Sequence, residues 1–277
     1  MPSTPSVRRT AVFVSPHLDD VAFSCGGTLA LFRDLGWRTV LVTVFTASVD
    51  NPTGFALACQ TDKGLSPEVD YMALRRKEDQ DFARLIGVDE VRWLDFLEAP
   101  HRGYESALEL FGGVREDDQI HCEVARVMAE LQIEFDPLVA FLPQGLGNHV
   151  DHLQLIRGSL EVPDFANRAI WYRDLPYAIR HPESRPTALG VSQRIAFPIV
   201  STLKRKLDAA SCYRTQLGFQ FGGEWKIRET LEKFAFQEGK DVGSHEPCEV
   251  FFTTSHVIEA ANFAAIIQRH SSLGSQS

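Results

Sequence analysis

Residues 10–45 read TAVFVSPHLDDVAFSCGGTLALFRDLGWRTVLVTVF, and their pattern indicates the fold class. The run at residues 10–15 is short, apolar and rich in β-branched side chains, which predicts a buried strand. Residues 21–35 place apolar side chains at helical spacing, and Gly36 follows them as a C-cap. Residues 38–45 predict a second strand. A strand, a helix and a strand within about forty residues indicate a βαβ unit, and therefore a parallel sheet with a right-handed crossover.

The remainder of the chain continues the alternation of helices and strands. Residues 47–68 show no periodicity and contain scattered Gly and Pro, so we expect a functional loop or lid there. We predict a single α/β domain over residues 1–277, with a Rossmann-like, mostly parallel sheet, helices on both faces and a C-terminal extension. Further strands are predicted at residues 91–96, 137–142, 169–172 and 249–252, and helices at residues 71–86, 120–133, 203–217 and 227–236, followed by a terminal helix.

The composition is that of an ordinary globular protein with an acidic balance. Apolar residues make up 44% and charged residues 23% of the chain, and the formal net charge is −9. This charge repels a nucleic-acid backbone, so we expect no nucleic-acid partner. No apolar run is long enough for a membrane helix or a signal peptide. The five cysteines form no C-x-x-C pair, so we expect a reducing compartment and a cytoplasmic protein. Formation of a homo-oligomer is left open.

Two polar clusters follow strands that are predicted to be parallel. Ser-Pro-His-Leu-Asp-Asp occupies residues 15–20, and Gly-Asn-His-Val-Asp-His occupies residues 147–152. In an open parallel sheet, ligands bind beyond the carboxyl ends of the strands, and the clusters place three imidazoles and three carboxylates there. Two histidines, one carboxylate and an open position are the ligand set of a catalytic zinc site. A neighbouring carboxylate supplies a general base, and a further histidine can stabilise an oxyanion and protonate a leaving amine.

These segments resemble the hallmarks of the PIG-L/LmbE-like zinc-dependent N-deacetylases, which are related to the phosphatidylinositol-glycan de-N-acetylases. That family carries a Pro-His-Pro-Asp-Asp-Glu-like segment after its first strand and a His-x-Asp-His segment far downstream. The likeness covers most of the chain, because the βαβ start, the central helix and the long loops fall where the family has them. The corresponding segments here are Pro16-His17-Leu18-Asp19-Asp20-Val21 and His149-Val150-Asp151-His152.

The resemblance implies a role for each matching residue. Asp19 is implied as the general base, and His149 as the oxyanion stabiliser and acid. Asp151 is implied as a partner that orients a histidine. The implied cofactor is Zn²⁺, and another divalent metal such as Fe²⁺ is compatible with the same residues. The implied metal ligands are His17, Asp20 and His152, of which Asp20 can also cap the following helix.

The resemblance implies a hydrolase that removes an acyl group, with acetyl as the first candidate, from an amine of a sugar-containing small molecule. The part of the chain from about residue 165 is then expected to complete the substrate cleft. Leu18 and Val21 replace the Pro and Glu of the family pattern, which leaves the substrate's identity open. Two alternatives stay open: a binder that holds a sugar or nucleotide without chemistry, and a metal-dependent esterase or phosphoesterase.

Four further residues are candidate substrate contacts: Arg75, Asp95, Asp174 and Tyr177. Arg75 lies one turn from Glu78 on a predicted helix, and either reaches the substrate's hydroxyls or phosphate or forms a structural ion pair with Glu78. Asp95 ends a predicted strand and either holds a sugar hydroxyl or starts a turn. Asp174 and Tyr177 follow another strand and either line the cleft or belong to a turn around Pro176.

Three further features receive structural interpretations. Cys25 sits among small residues and is expected to be a buried small hydrophobe. The basic residues 204–206 belong to an amphipathic helix and are expected on its solvated face. The aromatic residues Phe219, Phe221 and Trp225 are expected in the core, with a sugar platform as the alternative.

Overall fold

The computed structural model describes residues 8–184 and 193–263, which build one sheet between layers of helices. The strands are β1 (Thr10–Ser15), β2 (Arg38–Thr43), β3 (Glu90–Trp93), β4 (Val139–Pro143), β5 (Ala169–Tyr172), β6 (Gln193–Pro198) and β7 (Cys248–Thr253). Their order across the sheet is β3-β2-β1-β4-β5-β7-β6. The first five pair in parallel, whereas β7 runs antiparallel to both β5 and β6. The predicted mostly parallel sheet is confirmed, and the C-terminal part adds its antiparallel edge.

Helices cover both faces of this sheet, as predicted. They are α1 (Asp20–Asp34), α2 (Gly54–Thr61), α3 (Tyr71–Ile86), α4 (Ala107–Leu110), α5 (Ile120–Phe135), α6 (Val150–Leu160), α7 (Pro163–Ala166), α8 (Tyr177–Arg180), α9 (Leu203–Ala210), α10 (Arg214–Phe221), α11 (Glu224–Asp241) and α12 (Ser255–Ala261), with a 3₁₀ turn at Ala99–Arg102. Within the two described segments, none of these helices has the length and apolar character needed to cross a membrane.

The central strand β1 divides its side chains between two hydrophobic cores, one on each face of the sheet. Ala11 and Phe13 belong to the core that α1, α9 and α11 share, while Val12 and Val14 belong to the core formed with α5 and α6. A strand that is buried on both faces needs apolar residues at every position. This requirement explains why residues 10–15 show a continuous apolar run instead of alternation.

Some segments differ from the sequence prediction. The segment at residues 47–68 contains a helix, α2, whose eight residues are too few to show a repeating stripe.

The single helix predicted at residues 203–217 was wrong, because α9 and α10 are separated at residues 211–213. The Tyr213 hydroxyl at this break donates to the buried carboxylate of Asp79 at 2.6 Å. Strand β6 was not predicted, because its first two residues are polar and exposed and its apolar run at residues 195–197 is only three residues long before Pro198.

Two of the three aromatic residues expected in the core lie on the surface. Phe221 packs against the core, but Phe219 and Trp225 are 61% and 65% exposed. The buried side chains of α10 are Gln216 and Leu217. Phe219 follows Leu217 by two positions, and side chains two apart on a helix do not face the same side.

Lys206 is buried at 2% exposure, contrary to the solvated face expected for it. Its Nζ lies 2.6 Å from Glu249 Oε1, and Glu249 also accepts the backbone N–H groups of Gly27 and Thr28. These amides follow a kink in α1 at Cys25, where φ is −139° and ψ is 23°. The kink interrupts the helical hydrogen bonds, and a carboxylate from β7 replaces them. Cys25 itself is buried, as expected.

Glu238 on α11 predicts a measurable pH dependence of stability. Burial raises the pKa of its carboxyl to about 7, although the charge of Arg173 and the backbone N–H of Val250 oppose this rise. Because the folded pKa lies above that of the unfolded chain, the contribution of Glu238 to stability is greatest at acidic pH and is lost as the pH rises through about 7. Glu238→Gln removes this loss. The difference in free energy of unfolding between this variant and the wild type should therefore shift in favour of the variant when the pH is raised from mildly acidic to mildly alkaline. The shift should be at most about 3 kcal/mol.

Urea unfolding at about pH 5 and about pH 8 measures this change. Glu232→Gln, at an exposed position on the same helix, is the matched control and should keep the wild-type dependence on pH. An identical dependence in Glu238→Gln and the wild type would contradict the prediction.

Candidate metal centre and active site

The two polar clusters meet at the carboxyl edge of the sheet, because β1 and β4 are hydrogen-bonded neighbours. The Ser15 hydroxyl donates to the carbonyl of His17 at 2.6 Å, and the His17 backbone N–H donates to the Asp20 carboxylate at 2.8 Å. This turn directs the His17 ring and the Asp20 carboxylate toward each other. The second cluster supplies His149 as the N-cap of α6 and His152 in its first turn.

Three ligand atoms converge between these clusters. His17 Nδ1 lies 3.2 Å from Asp20 Oδ2, and His152 Nε2 lies 3.4 Å from the same oxygen. All three atoms lie within 4.8 Å of one another. Tetrahedral zinc with ligand bonds of about 2.0–2.1 Å separates its ligand atoms by about 3.3 Å. The structure therefore brings the three predicted ligands together at a spacing that fits a divalent metal ion.

Carboxylates on the far side of each imidazole orient these nitrogens. His17 donates from Nε2 to Asp151 at 2.9 Å, and His152 donates from Nδ1 to Asp174 at 2.5 Å. Each ring therefore turns its other nitrogen toward Asp20, and this nitrogen must lose its proton to bind a metal ion. His152 Nε2 is buried and has no hydrogen-bond partner within the described part of the chain. An unpaired buried nitrogen is costly, and a metal ion at this point satisfies it.

Asp151 holds the His17 ring in place through a set of hydrogen bonds. It accepts the Ala99 backbone N–H at 3.1 Å and the Arg102 guanidinium at 2.8 Å, in addition to His17. His17, His149 and Asp151 form a second group of ligand-type atoms, but both oxygens of Asp151 are already in hydrogen bonds. The group with His152 is therefore the better cation site. Arg102 is a site residue that the sequence pattern does not reveal, since no motif links it to Asp151.

Asp19 lies beside the ligand group and lines an open cavity. Arg75 approaches Asp19 Oδ1 at 3.5 Å and Glu98 Oε1 at 2.5 Å. Burial raises the pKa of Asp19 to about 6, and the positive charge of Arg75 limits the rise. The structural ion pair between Arg75 and Glu78 is not formed, because Glu78 instead accepts the Thr215 hydroxyl at 2.7 Å. A carboxyl group with such a pKa can accept and release a proton near neutral pH.

The His149 ring packs edge-on against the rings of His17 and Phe111, at centroid distances of 4.8 and 5.3 Å. The backbone N–H of Asp151 donates to His149 Nδ1 at 3.2 Å, which leaves the ring proton on Nε2. Burial, followed by the charge of His17, lowers the pKa of His149 well below its usual value. The ring is therefore neutral and can donate a hydrogen bond from Nε2.

The cavity above the ligand group has a volume of about 310 Å³, and Tyr177 from the start of α8 forms part of its wall. Gly147 allows the Tyr177 ring to pack against the backbone at this position. Its φ is +82°, and a Cβ there would lie 2.7 Å from the Tyr177 ring. The second cluster therefore requires glycine at this position, because any larger side chain would push the wall away.

The four candidate substrate contacts occupy different places. Arg75 and Tyr177 line the cavity. Asp174 is fully buried and is bonded to His152 and to two backbone N–H groups, so it supports the ligand group from behind. Asp95 is exposed and does not line the cavity. Its backbone forms an isolated β-bridge with Phe45. Only the tertiary structure separates these positions, since all four follow strands or sit on a helix that faces the same edge.

The sequence relatives of the chain are deacetylases. The 2'-N-acetylparomamine deacetylase of Streptomyces fradiae is 36% identical over 173 residues, which cover 62% of this chain and 58% of that protein. The chain thus aligns with less than two thirds of the length of that relative. A protein of the same description from Niallia circulans is 29% identical over 241 residues, covering 78% of this chain and 84% of that protein.

The solved structure of the zinc-inhibited form of teicoplanin deacetylase shares the fold. It has a TM-score of 0.74 at 23% identity, over 88% of this chain and 97% of that chain. Residues 12–162 of this chain match the PIG-L family, described as GlcNAc-PI de-N-acetylase, and the matched range includes both polar clusters. Since the match extends over more than half of the sequence, the chain belongs to the PIG-L family.

Proposed function

We propose that the protein is a metal-dependent N-deacetylase that hydrolyses the acetamido group of an amino-sugar-containing small molecule. The observation that carries the proposal is the buried, unpaired Nε2 of His152, which converges with His17 and Asp20 next to the carboxylate of Asp19. Membership of the family and the two relatives described as deacetylases support an amide as the bond that is broken.

We assign the metal as zinc, held by His17, Asp20 and His152. Two imidazoles, one carboxylate and an open position are typical of catalytic zinc, and ferrous iron accepts the same ligand types. When bound, the ion polarises the amide carbonyl as a Lewis acid and lowers the pKa of water to about 7. The two departures from the family pattern leave this site intact, because Leu18 and Val21 are buried in the protein core and do not line the cavity.

The protein's own groups move the protons. Asp19 accepts a proton from the water that attacks the acetamido carbon. His149 donates a hydrogen bond from Nε2 to the carbonyl oxygen as negative charge develops there. A C–O bond forms, the C–N bond breaks, and the proton held by Asp19 passes to the departing nitrogen. The products are a free amine and acetic acid, which releases its proton to solvent and leaves as acetate. The lowered pKa of His149 favours a neutral ring, so we assign protonation of the departing nitrogen to Asp19 and not to His149, which the resemblance implied as the acid.

The test combines metal analysis with product detection. Purified protein is loaded with Zn²⁺ or Fe²⁺, and release of acetate and amine is followed from N-acetylglucosamine and 2'-N-acetylparomamine. Parallel assays with p-nitrophenyl acetate and p-nitrophenyl phosphate measure esterase and phosphoesterase activity. We expect metal-dependent amine release. Binding of the sugars without amine release would instead identify a binder, and turnover of only an ester or phosphoester would identify the other alternative.

We also propose that residues 1–277 act as one domain in the cytoplasm. The part from about residue 165 contributes Tyr177 and Gln216 to the same cavity as His17, which supports a shared cleft. All five cysteines are free, which is typical of proteins from reducing compartments.

A further inference from the structure

Three side chains from different elements meet at the mouth of the cavity. Lys63 follows α2, Tyr71 begins α3, and Phe219 lies on α10. The Lys63 Nζ lies 5.0 Å from the centroid of the Tyr71 ring and 5.2 Å from that of the Phe219 ring. Two aromatic rings therefore hold one ammonium group between elements that are distant in the sequence. Such a pair of rings is a binding site for cations.

The contacts of Lys63 are weak enough for another cation to displace its ammonium group from the two rings. Its Nζ donates to the carbonyl of Cys59 at 2.6 Å, and no carboxylate lies within 4.0 Å of it among residues 8–184 and 193–263. Phe219 is 61% exposed, so its ring is accessible from solvent. The rings can therefore accept another ammonium group without the loss of a salt bridge.

The acidic charge at the mouth of the cavity comes from Asp62. Among the described residues, the lining carries two cationic side chains, Lys63 and Arg75, and the latter is engaged by Asp19 and Glu98. A divalent ion, Arg75 and the Arg102 that pairs with Asp151 together balance the four carboxylates deeper in the cavity. One of the acidic residues, Asp62, is adjacent to Lys63 at the mouth. The carboxylates of the lining are Asp19, Asp20, Asp62, Glu98 and Asp151.

We propose that Tyr71 and Phe219, with Asp62 beside them, form an ammonium subsite that selects the substrate. The Lys63 ammonium fills this subsite in the free protein, and a free amino group of the substrate replaces it on binding. This inference rests on the proposed function, and it names the substrate class: amino sugars that carry a free ammonium group on a second ring, in addition to the acetamido group on the first.

Two disaccharide probes test the subsite by binding. One is N-acetylglucosaminyl-glucosamine, which has an acetamido group and a free amine, and the other is N,N'-diacetylchitobiose, which has no free amine. Calorimetric titration uses the metal-loaded Asp19→Asn protein to prevent turnover. We expect about tenfold tighter binding of the amine-bearing probe, in line with cation–π contacts to two partly exposed rings. Phe219→Leu should reduce this preference to within about twofold, because it removes the aromatic face and keeps an apolar side chain.

Two further variants sharpen the test. Trp225→Leu is the matched control, since Trp225 is an exposed aromatic residue with a lysine over its ring but does not line the cavity. It should keep the preference. Lys63→Met removes the resident ammonium and should tighten binding of the amine-bearing probe several-fold. Equal affinities of the parent protein for both probes, equal effects of Phe219→Leu and Trp225→Leu, or weaker binding by Lys63→Met would overturn the proposal.

The subsite and the proposed function fail in distinguishable ways. Acetate release by the wild-type protein is measured with the same two probes. Release without a preference for the amine-bearing probe overturns the subsite alone. If binding shows a preference that depends on Phe219 but no acetate is released, the subsite is supported and the proposed deacetylase activity is overturned.

Discussion

Replacing Asp19 with asparagine is expected to lower kcat for acetate release by about 10²- to 10⁴-fold, the usual contribution of a general base. The amide has nearly the same shape as the carboxylate but cannot accept the proton of the attacking water. Asp19 is not one of the three convergent ligands, so the variant should still bind about one equivalent of metal. Steady-state kinetics and metal analysis of the same preparation measure both quantities.

Asp95→Asn is the matched control for this prediction. Asp95 is also an acidic residue that follows a strand, but it is exposed and does not line the cavity. We expect kcat and KM of this variant to stay within about twofold of the wild type, as for surface substitutions away from special features. Full turnover in Asp19→Asn would remove Asp19 as the base. A large loss in Asp95→Asn would show that the cavity seen here is not the whole substrate site.

His152→Ala is expected to abolish stoichiometric metal binding and, with it, metal-dependent turnover. The substitution removes one of three ligands and leaves His17 and Asp20, which cannot fill a tetrahedral site that keeps one open position. Asp174→Asn should have a smaller effect, a loss of about 10- to 100-fold in metal affinity, because it weakens the support of the His152 ring without removing the ligand atom. Metal content after dialysis and competition with a chelator distinguish the two variants.

His121→Ala serves as the matched control for metal binding. His121 lies with Cys122 and Glu161 in another group of ligand-type side chains, at neighbouring ends of α5 and α6, and this group does not line the cavity. His121→Ala should retain the wild-type metal content. If His152→Ala still bound one equivalent and His121→Ala bound none, the metal would belong to the group on α5 and α6.

Local sequence was sufficient for the centre of the fold and for the position of the site. The apolar run of β1, the helical spacing of α1 and the apolar run of β2 are properties of neighbouring residues, so the βαβ unit could be predicted. The carboxyl ends of parallel strands share one edge, so the clusters at residues 15–20 and 147–152 could be placed together before any coordinates were known. His17, Asp20 and His152 do converge there.

The partners of these residues could not be predicted, because they come from elements that meet only after packing. Asp174 was a candidate substrate contact, but the path of the chain after β5 places its carboxylate on His152. Lys206 has the sequence setting of a solvated lysine, yet it pairs with Glu249 on a strand that follows it by more than forty residues.

Short-range patterns were enough to identify the residue types at the ends of β1 and β4, since strands, helices and turns depend on neighbouring residues. How those residues are supported, and what surrounds them, follows from the packing of distant elements. Asp151 and Asp174 hold the two imidazoles from behind, and Tyr71 and Phe219 meet around Lys63 at the mouth of the cavity. Such contacts depend on the relative positions of packed elements, and no local pattern encodes them.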